Sequence, residues 1–334
     1  MICMIIFEIL LTILSIGIFI LYLVDKNHEH KIKRVIPIIA SLIITLIIII
    51  LINQNISNNS IIFILCIALL SSIIPFYYIR STLKFLLLSV FTFLSFTFLD
   101  YLNGSLLFPM IIAFSIGTAL GIYYRSGLQT FKRKHTSTDK GLETRRDIIH
   151  IILGIIIMSL FFVLPFHTAI YVTIALIFLG YIYNGIIPNL KNNVYRKLVI
   201  FERNDSIYGL GALYLGIGIS LLIGFIHNPS FLITGFIALF FADPLATIFG
   251  INIKSPKLFY NKHKSILGTF TFFLVIAIGA FPIIGIYSLA FGVILSITES
   301  IDNIVDDNIA IAIVMILLYI IFLAITHHLP FSLL

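Results

Sequence analysis

The chain has 334 residues, 60% of them hydrophobic and only 10% charged, with a mean hydropathy of +1.15. A soluble domain carries about 25% charged residues, so the composition excludes one and implies a polytopic membrane protein. The net charge of +7 points to basic loops on one side of a membrane rather than to nucleic acid, and the two cysteines, Cys3 and Cys66, offer neither a disulfide framework nor a metal-ligand spacing.

Apolar runs of about 17–25 residues predict an all-α bundle of about twelve transmembrane helices. They lie at roughly 2–24, 35–52, 61–79, 84–100, 106–124, 148–165, 168–188, 207–226, 231–250, 266–280, 283–297 and 309–327. The first run has no Lys or Arg before it and no small-residue cleavage site, so it reads as a retained helix rather than a signal peptide. The tenth is short and Pro282 follows it, so 266–297 alternatively forms one re-entrant hairpin.

Charge separates the loops. Those at 25–34, 80–84, 125–147, 189–206 and 251–265 hold all 21 Lys and Arg, whereas Asn53–Ser60, Asp100–Ser105 and His227–Ser230 hold none. The positive-inside rule places the five basic loops in the cytoplasm and both termini outside. The loop 298–308, with Glu299, Asp302, Asp306 and Asp307, falls on the cytoplasmic side as well. The Ile-, Asn- and Lys-rich composition suggests a prokaryotic cytoplasmic membrane.

The basic linker 125–147 divides five amino-terminal spans, 1–124, from a second half, 148–334, that carries the polar chemistry. In the first half only Glu8 and Asp100 have functional character, and they read as a helix-facing acid and an outer cap. The five spans have no assigned role beyond shaping a lipid groove or holding a partner.

In the second half, Asp243 lies inside an apolar span, about seven residues or 10 Å from its inner end. A carboxylate at that depth costs roughly 2.5–3.5 kcal/mol on insertion scales, so it is expected to have a task. The alternative is an N-cap with Pro244 at N1, which requires a broken helix. Asp243, Ala246 and Gly250 share one helical face, where small residues admit another backbone or a nucleotide.

Lys254, Lys257, Lys262 and Lys264 follow, and the last runs directly into Ser265, Gly268 and Thr269. Cations, hydroxyls and approachable backbone N–H groups suit phosphate oxygens. Read blandly, the same lysines are a topology anchor on anionic lipid heads. Glu299, Asp306, Asp307 and Asn308 offer oxygen ligands for Mg²⁺ or Mn²⁺, unless Asp307 or Asn308 simply caps the last span. Arg146 and His150 share a face at the inner edge. Glu202, Tyr208 and Gly209 are weaker candidates, and His167, His227, His327 and His328 fall on the outer side.

These pieces resemble the phytol kinase and dolichol kinase family. Asp243-Pro-Leu-Ala-Thr-Ile-Phe-Gly250, Lys257-Leu-Phe-Tyr-Asn-Lys-His-Lys264-Ser-Ile-Leu-Gly268-Thr, Thr298-Glu-Ser with Asp306-Asp-Asn308, and Arg146-Asp-Ile-Ile-His150 stand in the family's order over roughly 145–320. Three positions depart from its pattern. Ala242 replaces a Gly, Asp147 replaces the Lys of the opening motif, and Lys254 stands near a missing second Gly.

The resemblance implies transfer of the γ-phosphate of CTP, or another nucleoside triphosphate, to an isoprenoid alcohol held in the bilayer. It implies Asp243, Glu299, Asp306 and Asp307 at the metal, and Lys262, Lys264, Ser265, Gly268, Thr269, Ala246, Gly250 and Asn308 about the nucleotide. Arg146 and His150 would brace the transferred group, with Asp243 or Asp307 as base. The rival readings are a CTP-dependent diacylglycerol kinase, a cytidylyltransferase forming a CDP-linked lipid, and an ion-coupled transporter.

Overall fold

The computed structural model describes residues 13–20, 22, 31–52, 58–77, 87–92, 107–126, 140–186, 210–301 and 306–327. The loops 127–139 and 187–209 lie outside these residues, as do Glu8, Asp100, Glu202, Tyr208, Gly209, Asp302 and His328. The described residues are mainly helical and include no strand. In chains this apolar, helices satisfy every backbone N–H and C=O internally. Contacts divide the chain into two compact units, the first Met1–Lys132 with Ile182–Asn189 and His328–Leu334, the second Arg133–Tyr181 with Leu190–His327.

The first unit contains α1 (Lys31–Ile52), α2 (Asn58–Tyr77) and α3 (Leu107–Ser126), which pack on one another. Gly117 and Gly121 let α3 press against Ser71 and Ser72 of α2. A Cβ at Gly117 would meet Ser71 Oγ at 2.0 Å, and one at Gly121 would meet the Ser72 carbonyl at 2.5 Å. Small residues serve this purpose where both helices are apolar and lipid gives no hydrophobic drive.

The second unit holds α4 (Lys140–Val163), α5 (Phe166–Ile186, to Tyr181), α6 (Leu210–Phe225), α7 (Pro229–Ile237), α8 (Asp243–Asn252), α9 (Ile266–Gly279), α10 (Phe281–Ile284), α11 (Tyr287–Ser300) and α12 (Asp307–His327). Asn228 caps α7, its side chain accepting from the Ser230 amide at 3.0 Å, with Pro229 opening the helix. An aromatic cluster at the far end from Lys264 ties α7, α11 and α12: Phe231 lies 5.7 Å from Phe291 and 4.5 Å from Phe322.

Among the described residues four helices are long and apolar enough to cross a membrane: Glu143–Val163, Phe166–Tyr183, Pro229–Asn252 and Asp307–Thr326. The other apolar helices among the described residues are shorter, 10–17 residues each. α9 and α11 have 14 residues each, about 21 Å at 1.5 Å per residue, against a hydrocarbon core of about 30 Å. They pack side by side around the turn at α10 and Gly285 (φ +60°). The two helices over 266–297 form an antiparallel pair, and Glu299 at its end returns to Lys264 at its start.

The broken helix that a capping Asp243 requires does not form. Asp243 has helical dihedrals (φ −63°, ψ −52°) and its side chain caps nothing. Instead α7 runs into α8 through a π segment, Ala238–Ala242, in which the Asp243 amide bonds the Ala238 carbonyl. Pro244 supplies the reason: it has no N–H for the carbonyl four residues earlier, and its ring crowds that carbonyl. Widening the preceding turn relieves the crowding without ending the helix.

Candidate functional site

Three segments distant in sequence meet at the lysine-bearing end of the second unit. α8 ends there, α9 begins there, and the α9–α11 hairpin brings Glu299 back to the start of α9. The first turn of α12 packs beside it with Asp307. Lys264 is the meeting point. Its ammonium forms ion pairs with Glu299 and, at 3.2 Å, with Asp307. Asp243 also lies within electrostatic reach of Lys264, Asp307, Glu299 and Asp147.

Burial alone would lower the Lys264 pKa. Glu299, Asp307 and Asp243 outweigh that effect and hold it above lysine's ordinary 10.5, so the ammonium keeps its charge. An ammonium has three N–H donors. Two point at carboxylates here, which leaves one for a further anion.

Which acid does which job is settled by one register position. Asp306 caps α12: its Oδ1 accepts from the Asn308 amide at 3.1 Å and from Asn308 Nδ2 at 2.9 Å. Asp307, one residue on, is thereby turned to Lys264. The capping role expected of Asp307 or Asn308 belongs to Asp306. Of the expected metal set, Asp306 is occupied as a cap, while Glu299 and Asp307 pair with Lys264 and Asp243 lies within its electrostatic reach. Among the described residues no group of three or more His, Cys, Asp or Glu is placed to hold a metal ion, and the Lys264 ammonium stands where the remaining acids converge.

The backbone cradle expected at Ser265, Gly268 and Thr269 is also taken up. Ser265 is the N-cap of α9, accepting from the Gly268 amide at 3.1 Å. The Ile266 amide bonds the Pro256 carbonyl, that of Leu267 bonds Ser255 Oγ, and that of Thr269 bonds the Ser265 carbonyl. No amide in this first turn is left for a phosphate. Ala246, Gly250 and Gly268 meet one another where α8 crosses α9. A Cβ at Gly268 would lie 2.9 Å from the Ala246 carbonyl, and one at Gly250 would lie 2.8 Å from Ser265 Oγ. Of the two occupants expected for that small-residue face, a second backbone is the one present.

What remains open is side-chain chemistry. Glu299 Oε2, Asn308 Oδ1, Thr269 Oγ1 and Arg146 Nε are buried with no hydrogen-bond partner. Glu299 is only 2% exposed, and such groups normally find partners. In the second unit these open atoms fall on the segments around Lys264 and on the start of α4. Lys262 is exposed on the loop.

α4 packs along α8, joined near its start by Asn252 Nδ2 to Thr144 Oγ1 at 3.3 Å, with Gly154 closed against Phe240 of the π segment. Glu143, Asp147 and Gly154 are buried on one face of it, and His150 is half-buried on the same face. Arg146 pairs with Asp147 at 3.4 Å. Asp147, the departure from the family's lysine, thus joins the acids around Asp243. Arg146 and His150 are brought to the same end of the unit without a contact to Lys264 among the described residues.

Two residues the motifs did not single out fix the loop. Tyr260 OH lies 2.6 Å from Ser300 Oγ, and Asn261 Nδ2 donates to the Ser300 carbonyl at 2.9 Å. Their partner is next to Glu299, which only the folded hairpin reveals. No protein-family model, no curated protein and no solved structure matches this chain.

Proposed function

We propose that this protein is a membrane-embedded lipid kinase that transfers the γ-phosphate of CTP, or of another nucleoside triphosphate, to the hydroxyl of an isoprenoid alcohol. The observation that carries the reading is a half-buried ammonium, Lys264, held between Glu299 and Asp307 and within electrostatic reach of Asp243, at the lysine-bearing end of apolar helices. Phosphoryl transfer asks the protein for charge neutralisation and an aligned nucleophile, with little covalent work.

The third donor of Lys264, with Lys262 and Arg146, would neutralise the triphosphate from side chains, since the α9 amides are engaged. The alcohol oxygen attacks the γ-phosphorus, the bond from that phosphorus to the bridging oxygen breaks, and the nucleoside diphosphate leaves. The alcohol's proton passes to a carboxylate, Asp243 or Asp307. His150 stands on the neighbouring helix to orient the acceptor.

The open oxygens of Glu299, Asn308 and Thr269 fit a hard cation. Mg²⁺ characteristically binds one or two carboxylates plus substrate phosphates rather than an all-protein cage, so it would enter with the nucleotide as part of the substrate. The isoprenoid tail stays in lipid while its hydroxyl reaches the site at headgroup level.

The test is a panel of prenols of different length, each with CTP, UTP, ATP or GTP and Mg²⁺, incubated with the purified protein in lipid. Prenyl phosphate from at least one pair is expected. No product from any pair, with a correctly inserted protein, removes the kinase reading.

A further inference from the structure

The connection between α8 and α9 has a second face that the site does not use. It is an ordered turn rather than a slack tether. Lys257 and Ser265 form an isolated antiparallel bridge, the Leu258 amide bonds the Lys264 carbonyl at 3.1 Å, and Lys257 Nζ donates to the His263 carbonyl at 3.0 Å. Tyr260 and Asn261 then clamp the turn to Ser300.

At its tip this structure holds Phe259 out of the protein. Phe259 is 94% exposed, more than any other large apolar side chain among the described residues. Its ring meets only the edge of Tyr260, with centroids 4.8 Å apart and planes at 86°. Ile253 and Tyr260 are each 47% exposed nearby. Lys254, Lys257 and Lys262 are exposed on the same turn, and residues 251–266 include no Asp or Glu. An aromatic tip ringed by lysines, with no acid, combines apolar payload with attraction to negative headgroups. The turn is also continuous with a membrane-crossing helix, since α8 is the last part of the span Pro229–Asn252.

We propose that the tip of the 253–264 turn is a foot that docks on anionic lipid, with Phe259 entering the headgroup–acyl boundary and Lys254 and Lys257 pairing with lipid phosphates. The clamp to Ser300 then seats the stretch that carries Lys264 at a fixed height above the leaflet. Docking is independent of the phosphotransfer reading, and only its consequence for turnover rests on that reading.

The chain contains no tryptophan, so Phe259→Trp makes a single reporter in the full-length protein. It is reconstituted into vesicles of phosphatidylcholine alone, or with about one-third phosphatidylglycerol, with brominated acyl chains as quenchers. Blue-shifted emission quenched by the bromolipid is expected, stronger with phosphatidylglycerol and weakened by about 0.5 M salt, where screening shortens to a few Å. Adding Lys254→Gln, an exposed change that leaves the turn's hydrogen bonds intact, should lower the docking equilibrium about fivefold. Water-like emission without bromolipid quenching in either vesicle overturns the proposal. So does quenching that ignores both phosphatidylglycerol and salt, or quenching by added nucleotide alone, which would make Phe259 a base-stacking platform. Because the readout needs no turnover, a failed kinase assay and a failed docking assay are told apart.

Discussion

At the scale of single residues, the centre is an ammonium surrounded by more acid than it can neutralise. Truncating Lys264 leaves buried Glu299 without its partner, and breaking a buried pair costs roughly 3–5 kcal/mol. Lys264→Met should therefore lower stability by about 3 kcal/mol in a chemical-denaturation or thermal assay in detergent, besides removing turnover. Its raised pKa sets the sign of the pH dependence. The stabilisation is complete below lysine's ordinary 10.5 and is lost only as pH climbs through the still higher folded value. The lysine's share of the stability difference between wild type and Lys264→Met should therefore persist up to about pH 10, and loss of the whole difference by that pH would show a neutral lysine.

Adjacent acids give the sharpest contrast. Asp306→Ala removes a helix cap, worth about 1 kcal/mol, and should leave much of the activity. Asp307→Ala should cost the reaction far more than the fold, and equal losses of turnover from the two would contradict the division of labour. Asp243→Asn should abolish turnover in a protein that still inserts. The sequence could bring Asp306, Asp307 and Asn308 under suspicion together, but capping is decided by a single register position. Nothing in the spelling Asp-Asp-Asn says which acid turns inward. Tyr260 and Asn261 were illegible for a related reason, since their partner Ser300 becomes a neighbour only when the hairpin closes.

At the scale of elements, two devices position the acids and the lysine. The α9–α11 hairpin joins Lys264 to Glu299, and it was readable from Pro282 and the short run before it. The α8–α9 crossing was half readable. The spacing of Asp243, Ala246 and Gly250 defines a small-residue face, but spacing alone does not tell a backbone from a nucleotide. Gly268→Ala places a Cβ 2.9 Å from the Ala246 carbonyl. Parting the two backbones should cost about 1–3 kcal/mol, read as a lowered unfolding midpoint, together with reduced turnover as Lys264 shifts from Asp243. An unchanged midpoint would mean that the crossing is looser than it is drawn here. The π segment went unforeseen because Asp-Pro spells a helix start in isolation, whereas the apolar continuity of Pro229–Asn252 favours widening one turn over ending the helix.

At the scale of the whole molecule, low charge together with long apolar runs was enough to expect a helical protein suited to a membrane, and the described residues are mainly helical with four helices long and apolar enough to cross one. Counting spans went less far, since 14-residue helices satisfy a hydropathy window without the length to cross a bilayer unaided. Sidedness is open to direct measurement. With Cys3 and Cys66 replaced, a cysteine at Lys254 should react with an impermeant maleimide from the cytoplasmic face, and one at Ser230 from the opposite face. Labelling of both from the same side would contradict the charge-based topology.

The account turns on whether the acids and the lysine at this membrane edge handle the terminal phosphate of a nucleotide. The most direct measurement supplies CTP labelled separately at its α- and γ-phosphates, with the reactive prenol and Mg²⁺, and follows each label into the lipid fraction. The arrangement around Lys264 predicts the γ-label in prenyl phosphate, no α-label in lipid, and neither label with Asp243→Asn. An α-label in the lipid, or a γ-label transferred undiminished by Asp243→Asn, would contradict it.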